Sequence, residues 1–442
     1  MEKIFRRLLL FTSAVVFMAL APLVVFYAMG YRIGIDAKSD LSVGVLLVET
    51  TPRRSQVTVD DRDAGTTPTS VPNLPPGEVT VKLTKEGYES WEKRLMIEPT
   101  EVTDLRGVRL FPVQRSPRAL LADVSTFSLS PNRQLIAAIA GGKLHVIDEE
   151  GTSLFSALAI TEHPRQLLWS PDSNSLLLIG ERTTALVAIS GSTKAQPLPV
   201  LYRALEIAWD PRIPGRILAI TPQGDLTAYQ TGANISTTIA TNIQTFATSS
   251  RNVFVNPQAE ANIHVLTLQG QHLRTIPFTA AVRRLVATPS GVIGVWDEQG
   301  RLSTITDQEI ITPVAESAER AGFSPDGQLL YVQTDNTSLH VLNMSDQRLR
   351  HLPMEKLVLA TRLTSSIRDP QWFAGGHHLM YQIEDEIVIS EIDTRDHPIS
   401  YTVDSTNLGK SEAAVGRDGE RIFYLKDSGA GVDLVVMPLI VE

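Results

Sequence analysis

The residues that could do chemistry are few and scattered. No Gly-x-Ser-x-Gly elbow, His-Glu-x-x-His helix, Gly-x-x-x-x-Gly-Lys loop or Gly-x-Gly-x-x-Gly loop occurs in the chain. Each of these motifs brings a nucleophile, a metal or a phosphate to a defined backbone geometry. Because none is present, we predict no catalytic residues and no cofactor, and we expect that the protein is not an enzyme.

Two adjacent histidines, His377 and His378, are candidate metal ligands. They follow Gly375 and Gly376, at the place where other parts of the chain carry an Asp-Gly turn. A turn of this kind needs no metal, so we interpret the histidines as part of an exposed turn.

Acidic side chains cluster at two places. Asp60, Asp61 and Asp63 could offer oxygen ligands to Ca²⁺, but no Glu follows them at the spacing of a calcium loop. We therefore interpret them as a solvated hairpin turn. Residues 384–386 (Glu-Asp-Glu) separate two apolar segments and are interpreted as a charged turn that blocks edge pairing. The sequence predicts no metal site.

Composition excludes several classes of protein. The chain has 442 residues, 40 Lys+Arg against 49 Asp+Glu, and a net charge of −9. A nucleic-acid-binding protein needs a basic face, so we predict no nucleic-acid partner. The chain has no cysteine, which excludes disulfides and thiolate zinc sites.

The first 40 residues read as a membrane anchor and a linker. The segment Leu8–Gly30 carries no charge and as a helix would extend about 34 Å, enough to cross a bilayer. Lys3, Arg6 and Arg7 precede it, which predicts a cytoplasmic N-terminus and an extracytoplasmic remainder. The alternative is a signal peptide cleaved after residues 19–21 (Ala-Leu-Ala). We predict one transmembrane helix in the cell membrane.

Residues 41–112 show the period-two pattern of β-strands. Val79, Val81 and Leu83 alternate with polar residues, as expected for a half-buried strand. Residues 74–77 (Leu-Pro-Pro-Gly) form a strong turn signal, because Pro presets φ and Gly accepts a positive φ. The sequence therefore predicts a small all-β domain here.

This segment resembles the PEGA domain, a small β-sandwich of bacterial surface proteins. The resemblance covers about 70 residues. The matching pieces are Thr51-Pro52, Val57-Thr58-Val59-Asp60, Gly65-Thr66-Thr67-Pro68, Leu74-Pro75-Pro76-Gly77 and Lys85-Glu86-Gly87-Tyr88. The resemblance implies a spacer or adhesion module and no enzymatic activity.

Residues 113–442 contain a repeat of about 40 residues. Turn prolines recur at Pro131, Pro171 and Pro211, each followed by an apolar strand, a polar turn and a second strand. A sheet of four short strands cannot cover both of its faces alone, whereas stacking such sheets around an axis covers them. We therefore predict an all-β chain that ends in a β-propeller.

The repeats indicate seven or eight blades, and eight units can be counted. Arg118–Ala122 precedes the first unit, while the last unit lacks a fourth strand. We predict that these two ends pair in one sheet with residues 423–437 and close the ring. The Ser-Pro-Asp-Gly turn at Ser324 resembles those of WD-type and TolB-type propeller repeats, which implies a binding scaffold.

Four aromatic residues recur at one position of the repeat. They are Trp169, Trp209, Phe323 and Trp372. The shared position predicts that they pack between blades and do not form a ligand-stacking surface.

One repeat is longer than the others, between Leu349 and Asp369. We interpret this insertion as a candidate partner-binding loop, because an apolar centre with cationic flanks suits a protein surface. The alternative is that the insertion packs against its own blade. The candidate residues are Met354, Leu357, Val358, Leu359, Arg362 and Arg368.

These features predict a membrane-anchored envelope protein. The helix anchors it, the PEGA-like domain acts as a spacer, and the propeller binds another envelope protein or a cell-wall polymer. Two alternatives remain open. One is an envelope hydrolase with a site in the propeller channel, where polar groups would have to converge. The other is a structural component of a surface layer.

Overall fold

The computed structural model describes residues 11, 12, 15–18, 20, 21, 43–155, 157–189, 194–345, 352–407 and 412–441. Most of the predicted membrane segment Leu8–Gly30, and the linker that follows it, lies outside these residues. The parts of that segment that are described are helical. Within the described ranges, no helical segment has the length and apolar character that a membrane crossing needs.

The chain divides into two compact units, and the second comprises residues 115–394 and 398–440. The first unit contains two sheets, with strand orders β4-β1-β7 and β3-β2-β5-β6. Its strands are β1 (Gly44–Thr51), β2 (Gln56–Val59), β3 (Arg62–Thr66), β4 (Thr69–Leu74), β5 (Gly77–Thr84), β6 (Trp91–Ile97) and β7 (Val102–Arg109).

The core of the first unit comes from alternate residues of its strands. Along β6 every second side chain is buried, from Trp91 to Ile97, and β1 and β5 show the same alternation. The period-two pattern read in the sequence is therefore correct. The three aspartates lie at the hairpin between β2 and β3, where Asp60 and Asp61 have positive φ. Asp60 and Asp61 form the hairpin turn that the sequence predicts, and Asp63 lies in β3.

The second unit begins with β8 (Arg118–Leu121) and contains eight four-stranded sheets among its described residues, which we name blades 1 to 8. Blade 1 consists of β9 (Val124–Leu129), β10 (Leu135–Ala140), β11 (Lys143–Asp148) and β12 (Leu158–Ala159), and blade 2 of β13 (Gln166–Trp169), β14 (Ser175–Ile179), β15 (Thr184–Ala188) and β16 (Gln196–Pro197). Blade 3 consists of β17 (Glu206–Trp209), β18 (Arg216–Ile220), β19 (Leu226–Gln230) and β20 (Ile235–Ala240), and blade 4 of β21 (Ile243–Thr248), β22 (Val253–Pro257), β23 (Asn262–Leu266) and β24 (His272–Pro277).

The remaining blades follow the same order. Blade 5 consists of β25 (Val282–Ala287), β26 (Ile293–Asp297), β27 (Leu302–Ile305) and β28 (Ile311–Ala315), and blade 6 of β29 (Arg320–Phe323), β30 (Leu329–Asp335), β31 (Ser338–Asn343) and β32 (Leu357–Arg362). Blade 7 consists of β33 (Ile367–Trp372), β34 (His378–Ile383), β35 (Glu386–Glu391) and β36 (Ser400–Ser405), and blade 8 of β37 (Ala413–Val415), β38 (Arg421–Asp427), β39 (Val432–Pro438) and β8. Three short 3-10 turns lie at Pro199–Leu201, Ala374–Gly376 and Arg417–Gly419.

The two ends of the second unit meet in blade 8. Strand β8 pairs antiparallel with β39, and Leu121 lies opposite Leu434 while Arg118 lies opposite Val436. The first strand of the unit thus supplies the fourth strand of its last blade. The predicted end-to-end pairing is confirmed.

Buried apolar clusters join neighbouring blades. Such clusters link blades 1 and 2, 2 and 3, 3 and 4, 4 and 5, 5 and 6, 6 and 7, and 8 and 1. Blades 7 and 8 are joined by the side chain of Gln371, which donates a hydrogen bond to the carbonyl of Ala413 at 2.9 Å. The eight blades therefore form a closed ring, and its core lies between the blades.

A serine-centred turn follows the first strand in three of the blades. The Ser324 hydroxyl donates to the carboxylate of Asp326 at 2.6 Å and accepts the N–H of Leu329 at 2.9 Å. Ser170 makes the same pair of bonds in its own blade, and Ser130 does so with the amide oxygen of Asn132 in place of a carboxylate. Gly327 completes the turn with a φ of +71°, as the Ser-Pro-Asp-Gly pattern predicts.

Candidate binding site at the channel entrance

The first strand of each blade lies nearest the axis of the ring. First strands of neighbouring blades contact one another, as β9 does β13 and β29 does β33, whereas fourth strands such as β20 are largely exposed. Indole N–H groups reinforce these contacts. Trp169, Trp209 and Trp372 donate to carbonyls of the preceding blade at 3.1, 3.1 and 2.7 Å. The prediction that the aromatic residues pack between blades is confirmed for these tryptophans.

One residue at the start of each first strand occupies an equivalent place. After each first strand the chain turns, and the first residue of this turn donates its N–H to a carbonyl at the start of the second strand. The equivalent place lies four residues before that first turn residue. We call this set the entrance ring. Its members are Thr126, Gln166, Glu206, Thr245, Arg284, Arg320, Asp369 and Glu412.

The entrance ring is polar at every position, while the residues directly after it are mostly buried and apolar. In blade 7 a β-bulge adds one residue, so that Arg368 pairs with Gln382 and Asp369 bulges out with a φ of 46°. Positive charge collects on blades 5 to 7, which contribute Arg284, Arg320 and Arg368. Negative charge at the ring comes from Glu206, Asp369 and Glu412, on blades 3, 7 and 8.

The two glutamates of the ring fasten neighbouring blades in the same way. Glu206 accepts hydrogen bonds from the Thr245 hydroxyl at 3.1 Å and from the N–H of Phe246 at 3.3 Å. Glu412 accepts hydrogen bonds from the Thr126 hydroxyl and the N–H of Phe127, each at 3.0 Å, where blade 8 meets blade 1. These carboxylates therefore act as bridges between blades.

Burial raises the pKa of the Glu206 carboxyl above its ordinary value, although its hydrogen bonds to Phe246 and Thr245 and the charge of Arg284 oppose the rise. A raised carboxyl pKa in the folded state stabilises the fold at low pH, and this contribution is lost as the pH rises through the folded-state pKa. Ionised Glu206 therefore slightly lowers the stability of the fold near neutral pH.

We expect the Glu206→Gln variant to melt about 1–2 °C above the wild type at pH 7, because the amide oxygen still accepts both bonds and no buried charge remains. The measurement is thermal unfolding at pH 7 and at pH 4. At pH 4 the wild-type carboxyl is largely protonated, so the gap should close. A variant that is less stable than the wild type by the same amount at both pH values would contradict this role.

Arg284, Arg320 and Arg368 form what we call the arginine sector. Arg320 of blade 6 lies 2.5 Å from the Asp369 carboxylate of blade 7. Arg284 of blade 5 stacks on the ring of Trp296, 5.3 Å from its centroid. The sector thus spans three consecutive blades.

Tyr331 lies beside the arginine sector. Its hydroxyl donates to the carbonyl of Pro370 at 2.7 Å, which ties blade 6 to blade 7. Burial raises the pKa of Tyr331 to about 12, while the charges of Arg320 and Arg284 act in the opposite direction. Both guanidinium groups are therefore close enough to the phenol to influence its ionisation.

Arg368 differs from the other two arginines. Its Nε and Nη2 atoms are buried and have no hydrogen-bond partner among the described residues. A buried N–H without an acceptor costs about 1–3 kcal/mol, and more when the group is charged.

The structure changes the interpretation of the long repeat. Four of the candidate residues, Leu357, Val358, Leu359 and Arg362, lie in β32, the fourth strand of blade 6, and not in a loop. Val358 packs against the core between blades 6 and 7, and Leu357 against the core between blades 5 and 6. The prediction of a loop over these residues is wrong, because the segment completes its own sheet.

The other two candidates lie apart from each other. Met354 is exposed and pairs in an isolated bridge with Asn343, at the outer edge of the same blade. Arg368 lies on the first strand of blade 7, at the channel entrance. The structure therefore does not assemble the six candidates into one surface, and it places Arg368 alone among them next to a member of the entrance ring, Asp369.

The histidine turn also differs from its sequence interpretation. His378 is 2% exposed and begins β34, with its ring packed edge-on against Phe373 at 6.3 Å between centroids. The expectation of an exposed turn is thus wrong for His378, since the 3-10 turn at Ala374–Gly376 directs the chain back into the sheet. Within the described ranges, no three His, Asp or Glu side chains are grouped so that they could hold a metal ion.

Comparisons with known proteins agree with this architecture. Residues 43–109 match the family description of the PEGA domain. The C-terminal WD40 domain of Sif2 superimposes with a TM-score of 0.54 and 12% identity, covering 74% of this chain and 99% of that one. Sqt1 of Saccharomyces cerevisiae superimposes with a TM-score of 0.50 and 13% identity, covering 73% and 97%. No curated protein matches the sequence.

The class of protein follows from these findings together. The second unit has a β-propeller fold, like the WD40 domain of Sif2. The chain carries a PEGA domain at residues 43–109 and this propeller after it.

Proposed function

We propose that this protein is a membrane-anchored, extracytoplasmic binding protein whose propeller holds another envelope protein at its channel entrance. One observation carries the proposal. Every member of the entrance ring is polar, and its charges are unevenly distributed, with arginines on blades 5 and 6, an aspartate on blade 7 and glutamates on blades 3 and 8. Such a ring offers a partner both a position and an orientation.

Rigid strands present the ring. Each member belongs to a first strand or adjoins one, and bonds such as those of Glu206 and Glu412 hold neighbouring blades together. Side chains on strands lose little freedom when a partner binds, so less of the interaction free energy is spent on ordering them. This supports binding as the role of the entrance.

The same bonds argue against a catalytic role for the channel carboxylates. A general acid or base must reach a substrate, whereas Glu206 and Glu412 already accept the backbone N–H groups of the next blade. The envelope location rests on the sequence, namely the uncharged segment Leu8–Gly30 that follows Lys3, Arg6 and Arg7.

Single cysteines test the proposal, because the chain has none of its own. Gln244 is exposed at the entrance end of blade 4, and Arg212 is exposed in the turn at the opposite end of the first strand of blade 3. Gln244→Cys and Arg212→Cys chains would be labelled on intact spheroplasts with a membrane-impermeant maleimide that carries a photoreactive group.

We expect both cysteines to be labelled from outside, and light to crosslink the Gln244→Cys chain to a defined protein several times more efficiently than the Arg212→Cys chain. Failure of both to label would overturn the extracytoplasmic location. Equal crosslinking from the two positions would overturn the entrance as the binding face.

A further inference from the structure

We propose that two copies of this chain pair through β20, the outer strand of blade 3, and form a two-fold symmetric dimer. The two strands lie antiparallel, so that blade 3 of one copy and blade 3 of the other become one continuous sheet. Fourth strands lie on the outside of the ring, whereas the proposed partner site lies at its axis. The dimer surface is therefore separate from the entrance ring, and each can be tested without the other.

Strand β20 is the free outer edge of its blade. The strand order of blade 3 is β17-β18-β19-β20, so β20 pairs on one side only. The side chains of residues 235–238 are all exposed. Among the described residues, none outside β19 makes a backbone hydrogen bond to this stretch. Its outward N–H and C=O groups are therefore available to another extended chain.

The other outer strands carry features that oppose such pairing. Proteins protect exposed edges with very short strands, prolines or charged side chains. Among the described fourth strands, β12 and β16 have two residues each, β28 contains Pro313, and β8, β24, β32 and β36 each contain Arg or Asp. A β-bulge occurs in all of the longer fourth strands, so it does not distinguish β20 from the rest.

Strand β20 has six residues and none of these protecting side chains. Its sequence is Ile-Ser-Thr-Thr-Ile-Ala, and no charged residue occurs between Asp225 and Arg251. The strand and both of its flanks are thus neutral in a chain with a net charge of −9. Two copies can therefore bring this edge together without opposing like charges.

The order of residues in β20 makes the strand its own complement. From residue 235 to residue 239 the sequence Ile-Ser-Thr-Thr-Ile has the same pattern in both directions about Thr237. Antiparallel pairing centred there places Thr237 opposite Thr237 of the second copy. Ser236 then lies opposite Thr238, so hydroxyl groups meet hydroxyl groups, and such cross-strand pairs stabilise a sheet. This symmetry selects a second copy as the partner strand.

Two-fold symmetry allows this register. In an antiparallel pair, residues that lie opposite each other either both direct their N–H and C=O groups toward the partner strand or both direct them away. This direction alternates along a strand, so identical strands pair residues an even number of positions apart. The pairs at Thr237 and at Ser236 with Thr238 meet that condition. The bulge of β20 falls beyond them, at Ile239, where the pairing with β19 skips one residue.

The isoleucines at the two ends of this stretch differ in burial. Ile239 packs against the core between blades 3 and 4, whereas Ile235 is 58% exposed. Pairing about Thr237 brings Ile235 of each copy next to Ile239 of the other. The dimer thus covers an apolar side chain that the single chain leaves in water.

The test measures self-association of the full chain in density-matched detergent micelles, by sedimentation equilibrium at low ionic strength. The variants are Thr237→Lys and Thr237→Glu, each alone and in an equimolar mixture. Thr275→Lys is the matched control, because Thr275 is exposed on β24, the fourth strand of blade 4. Thermal unfolding of each chain should give the wild-type melting temperature, since all three substitutions fall on exposed side chains.

We expect the wild type and the Thr275→Lys chain to form dimers with a dissociation constant of about 1–10 µM, as for a small interface. Thr237→Lys alone and Thr237→Glu alone should each raise this constant about tenfold, because the two-fold axis places like charges directly opposite each other. The equimolar mixture should dimerise at least as tightly as the wild type, because opposite charges then face each other.

A wild type that remains monomeric at about 100 µM would overturn the inference and leave β20 to a strand of another protein. Dimers that persist unchanged in Thr237→Lys would overturn it as well, because the chains would then associate through another surface. The mixture keeps the test decisive if a substitution lowers stability, since a damaged chain would not regain dimers when the oppositely charged chain is added. A mixture no more dimeric than its two components would place Thr237 away from the axis, and the inference would be wrong.

Discussion

A propeller that begins at Ser125 should unfold at a much lower temperature than one that begins at Arg115, and it should aggregate. The shorter chain lacks β8, whose pairing with β39 closes the ring. It also loses Leu120 and Leu121, which pack against the cluster between blades 8 and 1. The lost burial and hydrogen bonds correspond to about 3–6 kcal/mol, and the free edge of β39 becomes available to other chains.

Thermal unfolding and size-exclusion chromatography of the two chains measure this effect. Both chains lack the N-terminal unit, so any difference reports the ten residues 115–124 alone. If the chain from Ser125 is as stable and as monomeric as the chain from Arg115, the pairing of β8 with β39 does not hold the ring together.

The Trp209→Ala variant should lose about 3–5 kcal/mol of unfolding free energy. Trp209 is 6% exposed and packs with Leu177, Ile179 and Ile217 in the cluster between blades 2 and 3. Its indole N–H donates to the carbonyl of Leu168 at 3.1 Å. Truncation opens a large cavity between two blades and removes the bond that joins them.

Two further variants separate the contributions to this loss. Trp209→Phe keeps most of the packing but lacks the N–H, so we expect a smaller loss, about 1–2 kcal/mol. Leu205→Ala is the control, since Leu205 is 62% exposed and its truncation should change stability by less than about 0.5 kcal/mol. Chemical denaturation measures all three. A Trp209→Ala chain as stable as the Leu205→Ala chain would show that the tryptophan does not join the blades.

The repeat architecture could be predicted because its local signals recur. The Ser-Pro-Asp turn needs a hydroxyl, a carboxylate and a positive φ at set positions. The same three residue types therefore recur in the sequence from Ser170 and from Ser324. The pairing of Arg118–Ala122 with residues 423–437 could be predicted from the two incomplete ends of the repeat array, because an unpaired edge is costly in a ring.

The entrance ring could not be predicted, because its members share a place and not a residue type. Thr126, Gln166 and Arg284 have no common chemistry, so no repeat of letters reveals them. The sequence does contain one signal for these residues, because each lies four residues before the turn that follows its first strand. The bulge in blade 7 also shifts the register at Arg368, and bulges leave little trace in a sequence.

The error over the long repeat has a related cause. Strand β32 follows an insertion, so its distance from the preceding strand gave no indication that it belongs to the same sheet. The alternation of buried and exposed side chains is also weak in this strand, because a fourth strand lies at the outside of its blade. Leu359, for example, is 40% exposed. Length alone suggested a loop, although the hydrogen bonds of β31 require a partner strand.

Hydrogen–deuterium exchange of the full chain, alone and with the partner captured through Gln244→Cys, tests the central claim most directly. In blade 6 the hairpin between β30 and β31 lies at the entrance, whereas the turn at Ser324 lies at the other end of β29. We expect the partner to slow exchange at the entrance hairpins of blades 5 to 7 and to leave the Ser324 turn unchanged. Slower exchange at the Ser324 turn, with no change at the entrance hairpins, would contradict the proposal that this protein binds its partner at the channel entrance.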